Sequence, residues 1–94
     1  MATRARSIFY KPRARKPLLR MPRPQAQQIR QDLERIAAGT IGDADLKPLR
    51  GRRGFYRLRV GDWRAVIEVT DDMVMVWLVG PRGQVYKDLA AMGL

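Results

Sequence analysis

Gly54 to Val69 reads GFYRLRVGDWRAVIEV, and this stretch leaves the chain little conformational freedom. Two runs rich in β-branched and aromatic residues, Phe55–Val60 and Trp63–Val69, flank Gly61-Asp62, which is the spacing of a two-residue β-hairpin. A hairpin closed there sets Val60 opposite Trp63, Arg59 opposite Arg64 and Leu58 opposite Ala65. Successive side chains of a strand point to opposite faces. Tyr56, Leu58, Val60, Trp63, Ala65 and Ile67 therefore share one face, and Phe55, Arg57, Arg59, Arg64, Val66 and Glu68 share the other. The first face is apolar and calls for a covering layer. The second gathers three guanidinium groups, with Arg59 and Arg64 as direct cross-strand neighbours, and like charges so placed are destabilising. An anionic ligand would relieve them. So would Glu68 together with a carboxylate from elsewhere in the chain, arginines splayed into water, or a slipped register.

The other elements arrange themselves around this hairpin. Met73–Val79 (MVMVWLV), joined to the hairpin through Thr70-Asp71-Asp72, is apolar on both faces, as expected of a strand covered on both sides. Upstream, Ser7–Lys11 (SIFYK) is a short strand. Prolines 12, 17, 22 and 24 cut the next segment into pieces, leaving a helical turn or two over Arg15–Met21 with Pro17 in its first turn. PQAQQIRQDLERIAAG is a helix, with Pro24 at its first position and Gly39 at its stop. Ile29, Leu33, Ile36 and Ala37 fall on one side of it at helical spacing, ready to pack on a sheet, while Arg30, Gln31 and Arg35 fall elsewhere. Thr40–Gly54 is a long connection pinned by Leu46 and Leu49. The chain closes in GPRGQVYKDLAAMGL, a short helix or tail.

The expected fold is α+β, a single domain over residues 1–94. An antiparallel β-meander with an added N-terminal strand carries two N-terminal helices on one face, in the order β-α-α-β-β-β with a short C-terminal helix.

The balance of charge narrows the function classes. Lys and Arg number 19 against 9 Asp and Glu, for a net charge of +10. Such a chain is drawn to polyanions or to an acidic protein partner. Histidine and cysteine are both absent. This excludes disulfides, Cys/His zinc sites, a cysteine nucleophile and the usual general base near neutrality. Any catalysis falls to Arg, Lys, Tyr or carboxylates. The basic N-terminus lacks the apolar core of a signal peptide, so the expected location is cytoplasmic, with no membrane partner.

Two further residues bear on the arginine face. Arg82 and Tyr86 follow directly on the third meander strand, which neighbours Trp63–Val69, so they return to the Arg64 end of the hairpin. A phosphate would there meet four arginines and a tyrosine. Tyr86 is equally readable as a rim aromatic that anchors the C-terminal tail. The loop Arg50-Gly51-Arg52-Arg53 serves either as a solvated turn or as an electrostatic guide for nucleic acid. Trp63 and Trp77 read as packing, Trp77 also as part of a partner surface.

LKPLRGRRGFYRLRVGDWRAVIEV followed by VMVWLVGPRGQVY resembles the RelE/ParE superfamily of toxins from bacterial type II toxin–antitoxin modules. The resemblance runs well from Leu46 to Tyr86; the N-terminal elements match in order and length rather than in motif. RelE-type members are ribosome-dependent endoribonucleases that cut mRNA, whereas ParE-type members share the fold and act on DNA gyrase. What the resemblance implies is as follows. Arg57 and Arg59 stand at the two basic strand positions, Arg64 at the basic opening of the next strand, Arg82 after the Gly-x step and Tyr86 at the C-terminal catalytic tyrosine. All five are of competent types, which favours the RelE branch. Arg50, Arg52, Arg53 and Lys87 are expected to contact RNA. No cofactor and no metal are expected. The implied partners are a cognate antitoxin with an acidic or amphipathic segment, the ribosome and mRNA, and operator DNA reached through the antitoxin. Pro81 departs from a position often polar or basic in the family. Arg57 and Arg59 stand where RelE-type enzymes commonly carry lysine, and arginine stays protonated in proteins. The general base is thereby left open. The competing readings are a ParE-like gyrase inhibitor and a non-catalytic RNA- or ribosome-binding protein.

Overall fold

The hairpin closes in the expected register: Val60 pairs with Trp63, Arg59 with Arg64 and Leu58 with Ala65. Gly61 has φ +57°, and no non-glycine residue has a positive φ among the described residues. A left-handed residue at the first turn position alone fits the II′ turn, whose twist matches that of the strands it joins. The computed structural model describes residues 5–93, so the first four residues of the basic N-terminal stretch and the last residue of the tail lie outside the described residues.

The elements run β1 (Ser7–Tyr10), α1 (Pro12–Arg20), α2 (Arg23–Ala37), β2 (Asp45–Pro48), β3 (Phe55–Val60), β4 (Trp63–Val69), β5 (Met73–Pro81) and α3 (Arg82–Ala91). They build a five-stranded sheet in the order β1-β5-β4-β3-β2. The added strand β1 pairs parallel to β5, and the other neighbours are antiparallel.

One face of the sheet carries α1 and α2. Ile29, Leu33, Ile36 and Ala37 of α2 are all buried, as their spacing predicts, and they meet Leu58, Ala65, Ile67, Val74, Val76 and Val79 from the strands. α1 is longer than expected: it runs from Pro12 to Arg20, with Pro17 in its interior. Proline there forfeits one helical hydrogen bond. Ala14 and Leu18, one turn apart, are both buried in the main core and hold the helix in place. The helix ends at Met21, whose backbone is extended at ψ 164°, as expected of a residue that precedes a proline.

One further feature departs from the sequence reading. The connection over Thr40–Gly54 contains a strand, β2, which adds an edge beyond β3 through the pairs Asp45–Arg59, Leu46–Leu58, Lys47–Arg57 and Pro48–Tyr56. Four residues ending in proline are too short to show alternation, although a terminal proline suits an edge strand. The other face of the sheet is covered as well, as the apolar character of both faces of Met73–Val79 implies. α3 lies across the opposite face, where Val85 and Leu89 join Val66 and Leu78 in a second, smaller core cluster. This explains why β5 is apolar throughout. An irregularity between Val66 and Ile67 shifts the β4–β5 pairing from Val66–Leu78 to Ile67–Val76, so that Trp77 and Leu78 both pack in the α3 cluster. Among the described residues no helix is long and apolar enough to cross a membrane.

Candidate functional site

The start of α3 is tied to the hairpin turn. Trp63 pairs with Pro81 and Arg64 with Gly80, so β5 runs out beside the start of β4. The Arg82 amide then donates to the Asp62 carbonyl at 2.9 Å. Gly80 lets the helix come down closely: a Cβ there would lie 3.1 Å from Cγ2 of Val85.

Helical geometry sorts the α3 side chains. Val85 and Leu89 face the sheet. Gln84 and Asp88 line a groove shared with Pro12, Arg13 and Lys16 of α1. Arg82 and Tyr86, four residues apart, occupy the opposite flank, toward β3. Both are exposed, Tyr86 by 43%.

The three hairpin arginines occupy the same sheet face but differ in surroundings. Arg64 is buried, with 7% exposure. Its Nη1 donates to the carbonyl of Gly61 at 2.8 Å and to that of Trp63 at 3.0 Å. The guanidinium is thus folded back on the hairpin turn, which relieves its repulsion from Arg59. Among the described residues no carboxylate forms an ion pair with it. Arg57 is mostly covered and donates from Nη2 to Asp45 Oδ1 at 3.1 Å. Arg59 is half-exposed, with Nη1 3.9 Å from Asp45 Oδ2. The outside carboxylate left open by the sequence is therefore Asp45 of β2, directly across from Arg59. Glu68 does not serve that purpose; its Oε1 accepts from Trp77 Nε1 at 3.1 Å.

Asp45 and Lys47, which faces Arg57 across the β2–β3 ladder, belong to this strip and were missed from the sequence. The signal lies in DLKP, where Leu46 must face the core if Asp45 and Lys47 face the arginines.

Arg50, Arg52 and Arg53 lie elsewhere. They occupy the β2–β3 connection, at the opposite end of β3 from Gly61, roughly 20 Å along a strand of this length. There the backbone of Arg52 is held by Leu49 and Phe55. Leu49, Phe55 and Met92 pack around the same small cluster as Val85 and Leu89, so α3 ends near this loop. Lys87 projects from the outer side of α3. The result is a strip between α3 and the β3–β2 edge. Arg59, Arg64 and Arg82 stand at its hairpin end, Arg57 and Tyr86 along it, and the loop arginines at its far end. Such an array offers preorganised donors to a phosphate. Of the groups on or beside the strip able to exchange a proton, Asp45 is engaged by two arginines, while Lys47, Tyr86 and Lys87 are exposed.

Searched against known proteins, the chain matches no curated protein sequence. Its fold is shared with toxin structures. The E. coli toxin RelE, solved in the free state as a double arginine-to-alanine mutant, superposes with a TM-score of 0.76 at 22% identity, over 97% of this chain and 100% of that one. The toxin–antitoxin complex RelB-RelE from Methanococcus jannaschii gives 0.71 at 24% identity, covering 85% and 96%. The E. coli DinJ-YafQ toxin–antitoxin complex gives 0.69 at 15% identity, covering 88% and 99%. The family described as the ParE toxin of the type II toxin–antitoxin system parDE matches residues 8–86, from β1 through Tyr86. With both its sequence and its fold accounted for in this way, the chain belongs to the ParE toxin family, within the RelE/ParE superfamily of type II toxin–antitoxin toxins.

Proposed function

We propose that this toxin is a metal-independent, ribosome-dependent mRNA endoribonuclease that halts translation and growth. The observation that supports the reading is the bond from the Arg82 amide to the Asp62 carbonyl, which starts α3 beside the hairpin turn that carries Arg59 and Arg64, with Tyr86 one helical turn further along. In the reaction the ribose 2′-oxygen attacks the adjacent phosphorus. A bond forms from O2′ to phosphorus as the 2′-hydroxyl gives up its proton, the bond from phosphorus to O5′ breaks, and the O5′ leaving group takes up a proton, so that the proton count is unchanged. The substrate brings its own nucleophile, so the step requires no metal-activated water.

Negative charge builds on the phosphate oxygens in the transition state. Arg64 and Arg82 stabilise it, and a preorganised donor of this kind is worth on the order of 100- to 1000-fold in rate. Arg57 and Arg59 position the phosphodiester chain. Tyr86 stacks on a base or takes part in proton transfer. Arg50, Arg52, Arg53 and Lys87 contact RNA further along. The toxin's partner is a cognate antitoxin, with an acidic or amphipathic segment suited to a surface of net charge +10. RelB-RelE and DinJ-YafQ are themselves toxin–antitoxin complexes.

A second reading, inhibition of DNA gyrase, is favoured by two observations. The matching family is that of ParE, and Asp45 engages Arg57 and Arg59. Translating ribosomes incubated with the toxin, with mRNA 5′ ends mapped and gyrase supercoiling assayed in parallel, separate the two. Codon-phased cuts with unaffected supercoiling are expected. Gyrase poisoning without cuts would overturn the nuclease reading, and neither effect would leave a binding protein.

A further inference from the structure

A second basic surface lies on the other side of the sheet end that carries Arg64 and Arg82. Two adjoining grooves run along α1 and share Lys16 and Pro17. One, of about 390 Å³, lies between α1 and the start of α3, along Arg13, Lys16, Gly80, Pro81 and Gln84. The other, of about 330 Å³, is lined by Lys16, Pro17, Arg20, Met21, Pro22 and Trp63. Arg13, Lys16 and Arg20, at i, i+3 and i+7, stand along the same side of α1, and all three are exposed. Among the described residues none of them forms an ion pair. Asp88 is the only carboxylate lining either groove, and it is engaged by Gln84 Nε2 at 3.0 Å. Trp63 supplies a partly exposed aromatic surface in the same groove. From Pro12 to Pro22 the path is roughly 15 Å long.

We infer that this groove binds a single-stranded phosphodiester chain, with Arg13, Lys16 and Arg20 along its backbone and Trp63 as a stacking platform for one base. A row of cations beside an aromatic surface is how proteins hold single strands without reading their sequence. The groove also reaches the other site. Trp63 precedes Arg64 and pairs with Pro81, which precedes Arg82. A strand whose phosphate lies at Arg64 and Arg82 turns over Trp63 and Pro81 into the groove. Its role as a path for the nucleotides flanking the cut rests on the nuclease reading; the binding itself does not.

The chain's two tryptophans make the test direct. In a Trp77→Phe background, with excitation selective for tryptophan over the three tyrosines, Trp63 is the only emitter. Titration with a short 2′-O-methyl oligoribonucleotide, which lacks the attacking hydroxyl, is expected to quench Trp63 and to weaken steeply with salt. Lys16→Ala with Arg20→Ala should lower the salt slope by about 1.4, at about 0.7 per phosphate contact on a single strand. Trp63→Phe, in the full chain and read by anisotropy of a labelled oligonucleotide, should retain most of the affinity. Trp63→Ala should lose roughly 5- to 150-fold, the range for a stacked base. Circular dichroism of each variant confirms that the protein measured is folded, and the exposed lysine and arginine changes keep the test decisive if Trp63→Ala does not fold. Unchanged affinity and slope in the Lys16/Arg20 variant would overturn the proposal. So would Trp63 quenching by an acidic amphipathic peptide but not by the oligonucleotide, which would make the groove a protein-docking surface. Quenching together with intact mRNA in the ribosome assay would retain the groove and remove only the nuclease reading. A matched single-stranded DNA separates an RNA path, bound more weakly by DNA, from a groove indifferent to the ribose.

Discussion

The two faces of the sheet are made by the same strands and covered very differently. The face under α1 and α2 is closed by a continuous core that includes Ala14, Leu18, Ile29, Leu33, Ile36, Leu58, Ala65 and Ile67, each with 4% exposure or less. The other face has a single ten-residue helix over it. α3 seals only Val66, Leu78, Val85 and Leu89, with Phe55, Trp77, Leu49 and Met92 around them. Toward β3 and β2 the remaining surface is charged. One helix is too narrow to cover five strands, so the chain leaves a strip where apolar residues would be stranded in water and arginines are not. Apolar burial is concentrated on the first face and charge on the second.

Substitutions on each face sharpen this division. Leu33→Ala, in the closed core, is expected to lower unfolding free energy by about 2–5 kcal/mol, a large share of a small domain's stability. Denaturant titration reads this directly, and a loss below about 1 kcal/mol would mean that the core is looser than its burial indicates. Arg82→Ala is the counterpart on the open face. Its side chain is exposed, and the bond to Asp62 uses the backbone amide, which survives the change. Stability should stay within about 0.5 kcal/mol, while growth arrest and mRNA cleavage fall on the order of 100- to 1000-fold.

Arg64→Ala falls between these two. The buried guanidinium supports the turn through two carbonyls, and hydrogen bonds from charged groups are worth about 1.5–3 kcal/mol each. This variant should lose cleavage and also melt earlier, unlike Arg82→Ala. If Arg64→Ala and Arg82→Ala lowered stability equally, the division between faces would fail.

Asp45→Asn tests the strip from within. It removes the carboxylate that engages Arg57 and Arg59 without emptying the position. An ion pair this exposed contributes about 0.2–1 kcal/mol, so stability should change little. Freed arginines should bind a single-stranded oligonucleotide roughly 1.4- to 5-fold more tightly, the same energy expressed as an affinity ratio. Weaker binding would mean that Asp45 holds Arg57 in its working position instead of competing for it.

Much of this was legible in the chain, and the exceptions share a cause. The β3–β4 register and its arginine face follow from two strong alternating runs and a two-residue turn, both local signals. α2 follows from four apolar residues at helical spacing. β2 was missed because a four-residue strand shows no period, and with it went Asp45, whose role depends on lying across from Arg59. The length of α1 was missed because Pro17 argues locally against a helix that Ala14 and Leu18 enforce through burial. Cover on the second face was legible in the apolar run Met73–Val79, but not that α3 supplies it, because α3 contributes little more than Val85 and Leu89 to the core. That Arg64 folds onto carbonyls is a tertiary fact with no pattern behind it. In each case a non-local contact outweighed a local preference.

The smallest expected effect concerns the closed face and appears at alkaline pH. The Tyr10 phenol is half-buried against α1 and α2, and burial pushes its pKa above the usual 10.0; Arg30 acts in the opposite sense and Glu34 in the same sense. The folded protein therefore holds this proton to higher pH than the unfolded chain does. Above pH 10 the unfolded state ionises first, binds fewer protons and gains relative to the folded one. The contribution is complete below that pH and is lost as pH rises through the folded-state value. Tyr10→Phe removes the titrating group and keeps the ring in the core. Its unfolding midpoint should fall less steeply than that of the parent above pH 10, with the two curves parallel near neutrality. Lysines and the other tyrosines titrate in both proteins and cancel in the difference. Identical curves throughout would show that the Tyr10 hydroxyl reaches water, and would mark the edge of the closed face one residue further in.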